Sequence, residues 1–267
     1  MTRRWLEVDG RRLAAGWIEP QGARSPAPVL VFLHEGLGSI AQWREFPRAL
    51  AEAAGLPALV YDRLGYGESD AREEPFGPDF LHQEAFHTLP RVLETFGIQE
   101  TILVGHSDGG SIALLFAGDG EASHNVRVRG LISIASHVFV EPQTLASIAR
   151  VEPSFQTTDV GRRLSRYHGE KTEALVRNWT GVWLSEGFRS FNIERALPAI
   201  PCPVLALQGS EDEYGTAAQI EAIRQGAGAH VKMLPGCGHA PHRQAPEAAL
   251  EQMRAFIESI LGGQARS

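Results

Sequence analysis

Short apolar runs alternate with amphipathic stretches along most of the chain. The runs at Arg4–Val8, Leu13–Glu19, Val29–Leu33, Ala58–Tyr61, Thr101–Val104, Val128–Ile134, Val204–Leu207 and Val231–Leu234 read as strands. The later ones are nearly continuous apolar runs, as expected of parallel strands covered on both faces. Between them, Trp43–Ala54, Phe80–Phe96, Gly110–Ala117, Ala217–Gln225 and Pro246–Leu261 carry helical spacing. This alternation predicts an α/β fold, a mostly parallel eight-stranded sheet with helices on both faces. The first two strands have no helix between them and predict an antiparallel hairpin turning at Asp9-Gly10. Pro20–Pro28 reads as a surface loop.

One segment breaks the rhythm. From Val138 to Leu197 no strand pattern appears, while Phe139, Phe155, Tyr167, Trp179, Trp183, Phe188 and Phe191 accumulate. Thr172–Leu184 has helical spacing through Leu175, Trp179, Val182 and Trp183. The segment is too long for a simple crossover between two strands. It predicts a helical cap over residues 138–197, inserted after the sixth strand into a core domain made of residues 1–137 and 198–267. Such aromatics either bind the insertion to the body or line an apolar pocket of the kind that holds small molecules.

Composition narrows the function classes. At 267 residues the chain can hold one large core, and its apolar and charged fractions are ordinary. A net charge of −7 argues against nucleic acid and anionic membrane surfaces as partners. No apolar region follows the basic residues near the amino terminus, and no long apolar run exists, so a cytoplasmic protein is expected. The two cysteines, Cys202 and Cys237, make no metal or disulfide framework and read as packed thiols.

The chemistry concentrates at Thr101–Gly118. An apolar run from Ile102 to Val104 meets G-x-S-x-G, with Gly105, Ser107 and Gly109, and a small-residue helical run follows. That is the setting in which a serine sits on a strained elbow with its hydroxyl exposed above a sheet. Gly105 and Gly109 flank a turn too tight for a Cβ. A serine hydroxyl needs a base, and the base needs a group to orient it. His239 follows the last strand in Leu234-Pro-Gly-Cys-Gly-His239, with His242 as its nearest rival. Asp212 follows the preceding strand in Gln208-Gly-Ser-Glu-Asp212, where Glu211 and Glu213 compete. Its offset from Gly209 and its shorter side chain favour Asp212. Backbone amides for a developing oxyanion are expected from Asp108 and from His34-Glu-Gly-Leu-Gly38, where Gly36 is favoured and Leu37 is its rival.

These pieces, with Trp43, Asp62-Arg-Leu-Gly-Tyr-Gly-Glu-Ser69 and the order Ser107, Asp212, His239, resemble the α/β-hydrolase superfamily over residues 10–135 and 198–262. The similarity is closest in style to its capped branch of carboxylesterases, amino-acid-ester hydrolases and carbon–carbon-bond hydrolases. The resemblance implies the α/β-hydrolase fold, Ser107 as nucleophile, His239 as base, Asp212 as the acid, and the Gly36 and Asp108 amides as the oxyanion hole.

Three positions depart from the family pattern. Ser107 occupies the position where epoxide hydrolases and haloalkane dehalogenases place an aspartate, which disfavours both. Glu35 replaces the usual glycine after His34 and puts a carboxylate beside the site. Ala240 stands where carbon–carbon-bond hydrolases commonly carry a tryptophan. Asp62–Ser69 is expected to hold a turn behind the oxyanion loop. Asp108 has two readings, a contact to a substrate ammonium group or a local hydrogen-bond network with Arg63 or a backbone amide.

Glu35, Leu37, His137, Trp179 and Trp183 are expected to line the substrate pocket. The expected activity is hydrolysis of small carboxylic esters through an acyl-enzyme, without metal or organic cofactor, by a monomer or homodimer. A carbon–carbon-bond hydrolase, a thioesterase and a lactonase are the chemical alternatives. A non-catalytic receptor that retains these residues is the alternative from another class.

Overall fold

A computed structural model describes residues 1–23, 28–120 and 125–262. Eight strands form one sheet: β1 (Thr2–Val8), β2 (Arg11–Ile18), β3 (Val29–Leu33), β4 (Ala58–Tyr61), β5 (Glu100–His106), β6 (Arg127–Ile134), β7 (Val204–Gly209) and β8 (His230–Leu234). Their order is β1-β2-β4-β3-β5-β6-β7-β8. The β1–β2 and β2–β4 pairs are antiparallel and every other pair is parallel. Asp9 and Gly10 both have positive φ at the hairpin between β1 and β2, as the sequence predicts. The expected loop at Pro20–Pro28 lies partly on residues 24–27, outside the described residues.

The period-2 geometry of the strands sends alternate side chains to two separate cores. Val31, Leu33, Leu59, Tyr61 and Leu103 face one core, with Leu89, Ile112, Phe116, Trp183 and Ile223. Leu30, Phe32, Val60, Ile102 and Val104 face the other, with Leu50, Met253, Phe256 and Ile257. The sheet is therefore covered on both faces, which is why its central strands are continuous apolar runs.

Strand order reverses between β3 and β5. After β3 the chain moves outward to β4, and it then returns to place β5 on the other side of β3. Ligand crevices in open α/β sheets open at the carboxyl ends of strands at such a switch point. The loop His34–Gly38 and the serine elbow leave the sheet there side by side.

Several boundaries differ from the sequence reading. The expected helix Trp43–Ala54 is two pieces, a 3₁₀ turn at Ile40–Trp43 and a helix at Phe46–Ala54. Arg44 takes a positive φ of 54° between them, and Pro47 opens the second piece. Phe80–Phe96 is a continuous helical run, but Glu84–Thr88 widens into a π turn. Pro90 lacks the N–H that would bond the Phe86 carbonyl, and the wider turn accommodates that loss. Between β6 and β7 the chain is helical at Pro142–Ile148, Val151–Thr157, Val160–His168 and Thr172–Leu184, with short 3₁₀ turns after each of the last two. An isolated antiparallel bridge, Phe139 to Asn192, closes the base of this insertion. Among the described residues no helix is long and apolar enough to cross a membrane.

Candidate active site

Ser107 sits between β5 and the helix Asp108–Gly118 with φ 51° and ψ −120°. A non-glycine residue held there stores strain, which the elbow imposes in order to raise the hydroxyl. A Cβ on Gly105 would stand 2.3 Å from the Gly109 carbonyl oxygen, and one on Gly109 would stand 2.0 Å from that of Leu33. Both glycines are therefore demanded by backbone meeting backbone. The second contact also packs the elbow against the end of β3, where the loop His34–Gly38 begins.

Three residues from three loops form one hydrogen-bonded line. Ser107 Oγ donates to His239 Nε2 at 2.9 Å, and His239 Nδ1 donates to Asp212 Oδ1 at 2.8 Å. Asp212 Oδ1 also accepts from the Tyr214 and Gly215 amides at 2.9 and 3.2 Å, and its Oδ2 accepts from Gln208 Nε2 at 3.2 Å. Burial pushes the Asp212 carboxyl up, but the His239 imidazole and the Tyr214 amide outweigh it and hold the group below the usual carboxylate range. Its stabilising contribution is therefore present above the ordinary aspartate range, near pH 4, and is lost as acid takes the pH through the lower folded value. Glu211 and Glu213 do not enter the line. Glu213 Oε2 instead accepts from the His239 backbone amide at 3.1 Å and fixes the loop that carries the imidazole.

The loop after β3 is held from behind. Arg63, only 1% exposed, donates from Nη2 to the Glu35 carbonyl at 2.8 Å, and its backbone N–H donates to His34 Nε2 at 3.2 Å. Burial and the Arg63 charge push His34 well below the usual imidazole range, so it is a neutral acceptor. The turn at Asp62–Ser69 braces the same region, because Asp62 accepts from the Ile40 and Glu68 amides at 2.6 and 2.9 Å. Asp108 supplies the first N–H of its helix, a donor with no intrahelical acceptor.

The helical insertion holds the Asp212 loop, with Gln143 Nε2 donating to the Asp212 carbonyl at 2.8 Å and Thr144 Oγ1 to that of Tyr214 at 2.6 Å, and it reaches the loop after β3 and the elbow as well. His168 Nε2 donates to the Leu37 carbonyl at 3.0 Å while its Nδ1 accepts from the Gly67 amide at 3.0 Å. Lys171 Nζ donates to the carbonyls of Tyr66, Gly67 and Ser69. Trp179 Nε1 donates to Asp108 Oδ2 at 2.9 Å. A Cβ on Gly36 would stand 2.1 Å from that same Nε1, so the indole lies directly on the loop after β3.

Asp108 therefore finds a partner that neither sequence reading named. Arg63 acts on it only through its charge, its hydrogen bonds being spent on the loop. Burial pushes the Asp108 carboxyl up, against Arg63 and the Trp179 hydrogen bond. Asp108→Asn keeps both the backbone amide and an acceptor for Trp179. It is expected to lower kcat/KM equally for an amino-acid ester and for a neutral ester of the same size. A loss confined to the cationic ester would place a substrate ammonium group at Asp108.

The remaining expected pocket residues are buried or half-buried around the same point. His137 lies 5.8 Å from the His239 ring and 5.3 Å from the Trp183 ring, between centroids. Burial pushes its imidazole down to about 4. Trp183 packs on Phe188 within the insertion at 4.7 Å and meets the body through His137. His242, the rival base, has no hydrogen bond to Ser107 and packs on Trp43 at 4.6 Å. A cavity of about 700 Å³ opens elsewhere, lined by Val8, Leu13, Phe76, Phe80 and Glu84 among others, and touches none of Ser107, Asp212 and His239. Among the described residues no group of three or more His, Cys, Asp or Glu side chains is arranged to hold a metal ion.

Comparison with known proteins sets this geometry in context. A family model described as the alpha/beta hydrolase family matches residues 30–252. A monoglyceride lipase of Mus musculus is 26% identical over 94% of this chain and 88% of its own length. A proline iminopeptidase of Lactobacillus helveticus is 22% identical over 82% of this chain and 85% of its own. Among solved structures, the esterase RhEst1 from Rhodococcus sp. ECU1013 superposes with a TM-score of 0.70 at 23% identity, covering 97% of this chain and all (100%) of that one. At that identity the last similarity bears on the fold alone.

Proposed function

The chain belongs to the alpha/beta hydrolase family, and from that premise we propose that it is a serine hydrolase cleaving small carboxylic esters through an acyl-enzyme intermediate. The observation that carries this reading is the line Asp212–His239–Ser107, at 2.8 and 2.9 Å. Ser107 Oγ attacks the carbonyl carbon as its proton passes to His239 Nε2, and Asp212 holds and stabilises the imidazolium. The amides of Gly36 and Asp108 receive the oxyanion, each such donor being worth about 3–4 kcal/mol in the transition state. His239 then protonates the leaving alcohol, and a water activated by the same imidazole hydrolyses the acyl-enzyme.

Residues 138–197 act as the cap in this scheme, with Trp179 facing the reacting centre and Glu35, Leu37 and His137 beside it. No cofactor, nucleic acid or membrane enters the chemistry, and the protein is read as a cytoplasmic monomer or homodimer. The name of the iminopeptidase relative makes amide hydrolysis the second reading. Turnover should be measured on p-nitrophenyl acetate and butyrate, a thioester, a lactone, a prolyl anilide and a ring-cleavage diketone. Repeated turnover fastest on the esters is expected. Preference for the anilide or the diketone would replace the ester assignment, and a single stoichiometric burst would favour a receptor.

A further inference from the structure

Glu35 and His106 take no part in the steps above, yet both lie inside the site. His106 is the variable residue between Gly105 and Ser107 in the elbow motif, and its side chain is 2% exposed. Both of its ring nitrogens face acceptors. Nε2 is 2.8 Å from the His239 carbonyl oxygen, and Nδ1 is 3.3 Å from Glu35 Oε2. A carbonyl oxygen only accepts, so Nε2 carries a hydrogen. Nδ1 approaches the Glu35 carboxylate at the same time, so one ring ties both groups together.

The neighbouring groups do not compete for these contacts. His242, with its ring 4.7 Å away, is held neutral by burial and by His106 itself. His34 is held neutral by burial and Arg63. Arg63 turns its guanidinium to the Glu35 carbonyl rather than to the carboxylate. Arg243 faces His242, and the His239 ring lies 5.2 Å from that of His106 with its own nitrogens bonded to Ser107 and Asp212. Burial pushes the Glu35 carboxyl up, but the hydrogen bond with His106 outweighs it and leaves the group below the usual carboxylate range.

The pair joins two parts of the site that no other side chain spans among these contacts. Glu35 immediately precedes Gly36, and the carbonyl that His106 holds belongs to the residue whose ring is the base. The Glu35 carboxylate lies so close to Gly38 that a Cβ there would stand 2.3 Å from Oε2. Gly38 therefore makes room for a carboxylate where the family pattern has glycine in place of Glu35. We propose that Glu35 and His106 are a positioning pair, two side chains in contact that lock the oxyanion loop to the backbone of His239. This rests on the serine-hydrolase reading.

Glu35→Ala is expected to lower kcat by about 10²-fold, the scale of a misplacement of about 1 Å, with KM nearly unchanged. Rescue by the conservative variant separates positioning from simple packing. Glu35→Gln keeps a side-chain oxygen facing His106 Nδ1 and should recover most of the kcat that Glu35→Ala loses, whereas Glu35→Leu, of similar size with no polar atom, should not. His106→Ala removes both contacts and should lose kcat with KM nearly unchanged, and the double variant with Glu35→Ala should be scarcely worse. Circular dichroism selects the folded variants. If Glu35→Ala does not fold, Glu35→Gln against Glu35→Leu carries the test. Equal kcat in Glu35→Gln and Glu35→Leu, or a loss expressed only in KM, overturns the pair. Turnover surviving in Ser107→Ala would instead remove the hydrolase reading on which the pair rests.

Discussion

Replacing Ser107 or His239 by alanine is expected to lower kcat for a p-nitrophenyl ester by on the order of 10⁴-fold or more, and the double variant should be scarcely worse than either single one. The non-additivity follows from the geometry. The Ser107 hydroxyl and the His239 imidazole share one hydrogen bond of 2.9 Å, and either is idle without the other. Asp212→Asn should cost about 10⁴-fold, because an amide in place of the carboxylate favours the wrong imidazole tautomer. The fold should survive Ser107→Ala, since the strained φ of 51° at the elbow is imposed by packing around Gly105 and Gly109 rather than by the hydroxyl. Matching circular dichroism with an activity loss of this size would attribute the loss to chemistry. Additive losses in the double variant would mean that the two residues act separately.

Trp183→Ala is expected to destabilise the protein by about 3–5 kcal/mol, the usual cost of truncating a buried tryptophan. Trp183 is 1% exposed and meets Phe188, His137 and Phe191 at ring-centroid distances of 4.7, 5.3 and 6.3 Å. Its neighbour four residues earlier behaves differently. Trp179 spends its N–H on Asp108 and its ring edge on Gly36. Trp179→Ala should therefore alter KM for bulky apolar esters more than for acetate. Denaturant unfolding of the two variants, with KM measured on a short and a bulky ester, checks the division. Equal effects of both substitutions on KM would mean that both indoles face substrate.

The sequence makes legible what depends on local pattern. Period-2 and continuous apolar runs locate all eight strands, and glycines placed by backbone contact identify the elbow. Strand ends are less legible where polar residues continue a ladder. β5 is expected to stop at Val104, yet Gly105 and His106 pair with Ser133 and Ile134 of β6. The helix after Ser107 is expected from Gly110 but starts at Asp108, because the elbow overrides the weak helix propensity of glycine.

Long-range partners leave no local mark. His168 and Lys171 lie far along the chain from the carbonyls they hold, and no spacing rule connects them. Arg63 lies in a motif that the sequence singles out, but nothing local says that its guanidinium turns to the Glu35 carbonyl. Asp108 is conspicuous beside Ser107, and its partner comes from a helix 71 residues away. The departure of Glu35 from glycine was the one visible sign of the pairing with His106.

The serine chemistry itself is tested most directly by trapping the nucleophile. The wild-type protein is treated with an active-site-directed phosphonate, and its intact mass and peptide map are recorded by mass spectrometry. The expected result is one adduct per chain, mapped to Ser107, with no labelling in Ser107→Ala and strongly slowed labelling in His239→Ala. Adducts on another residue, or none while esters are still turned over by Ser107→Ala, would contradict it.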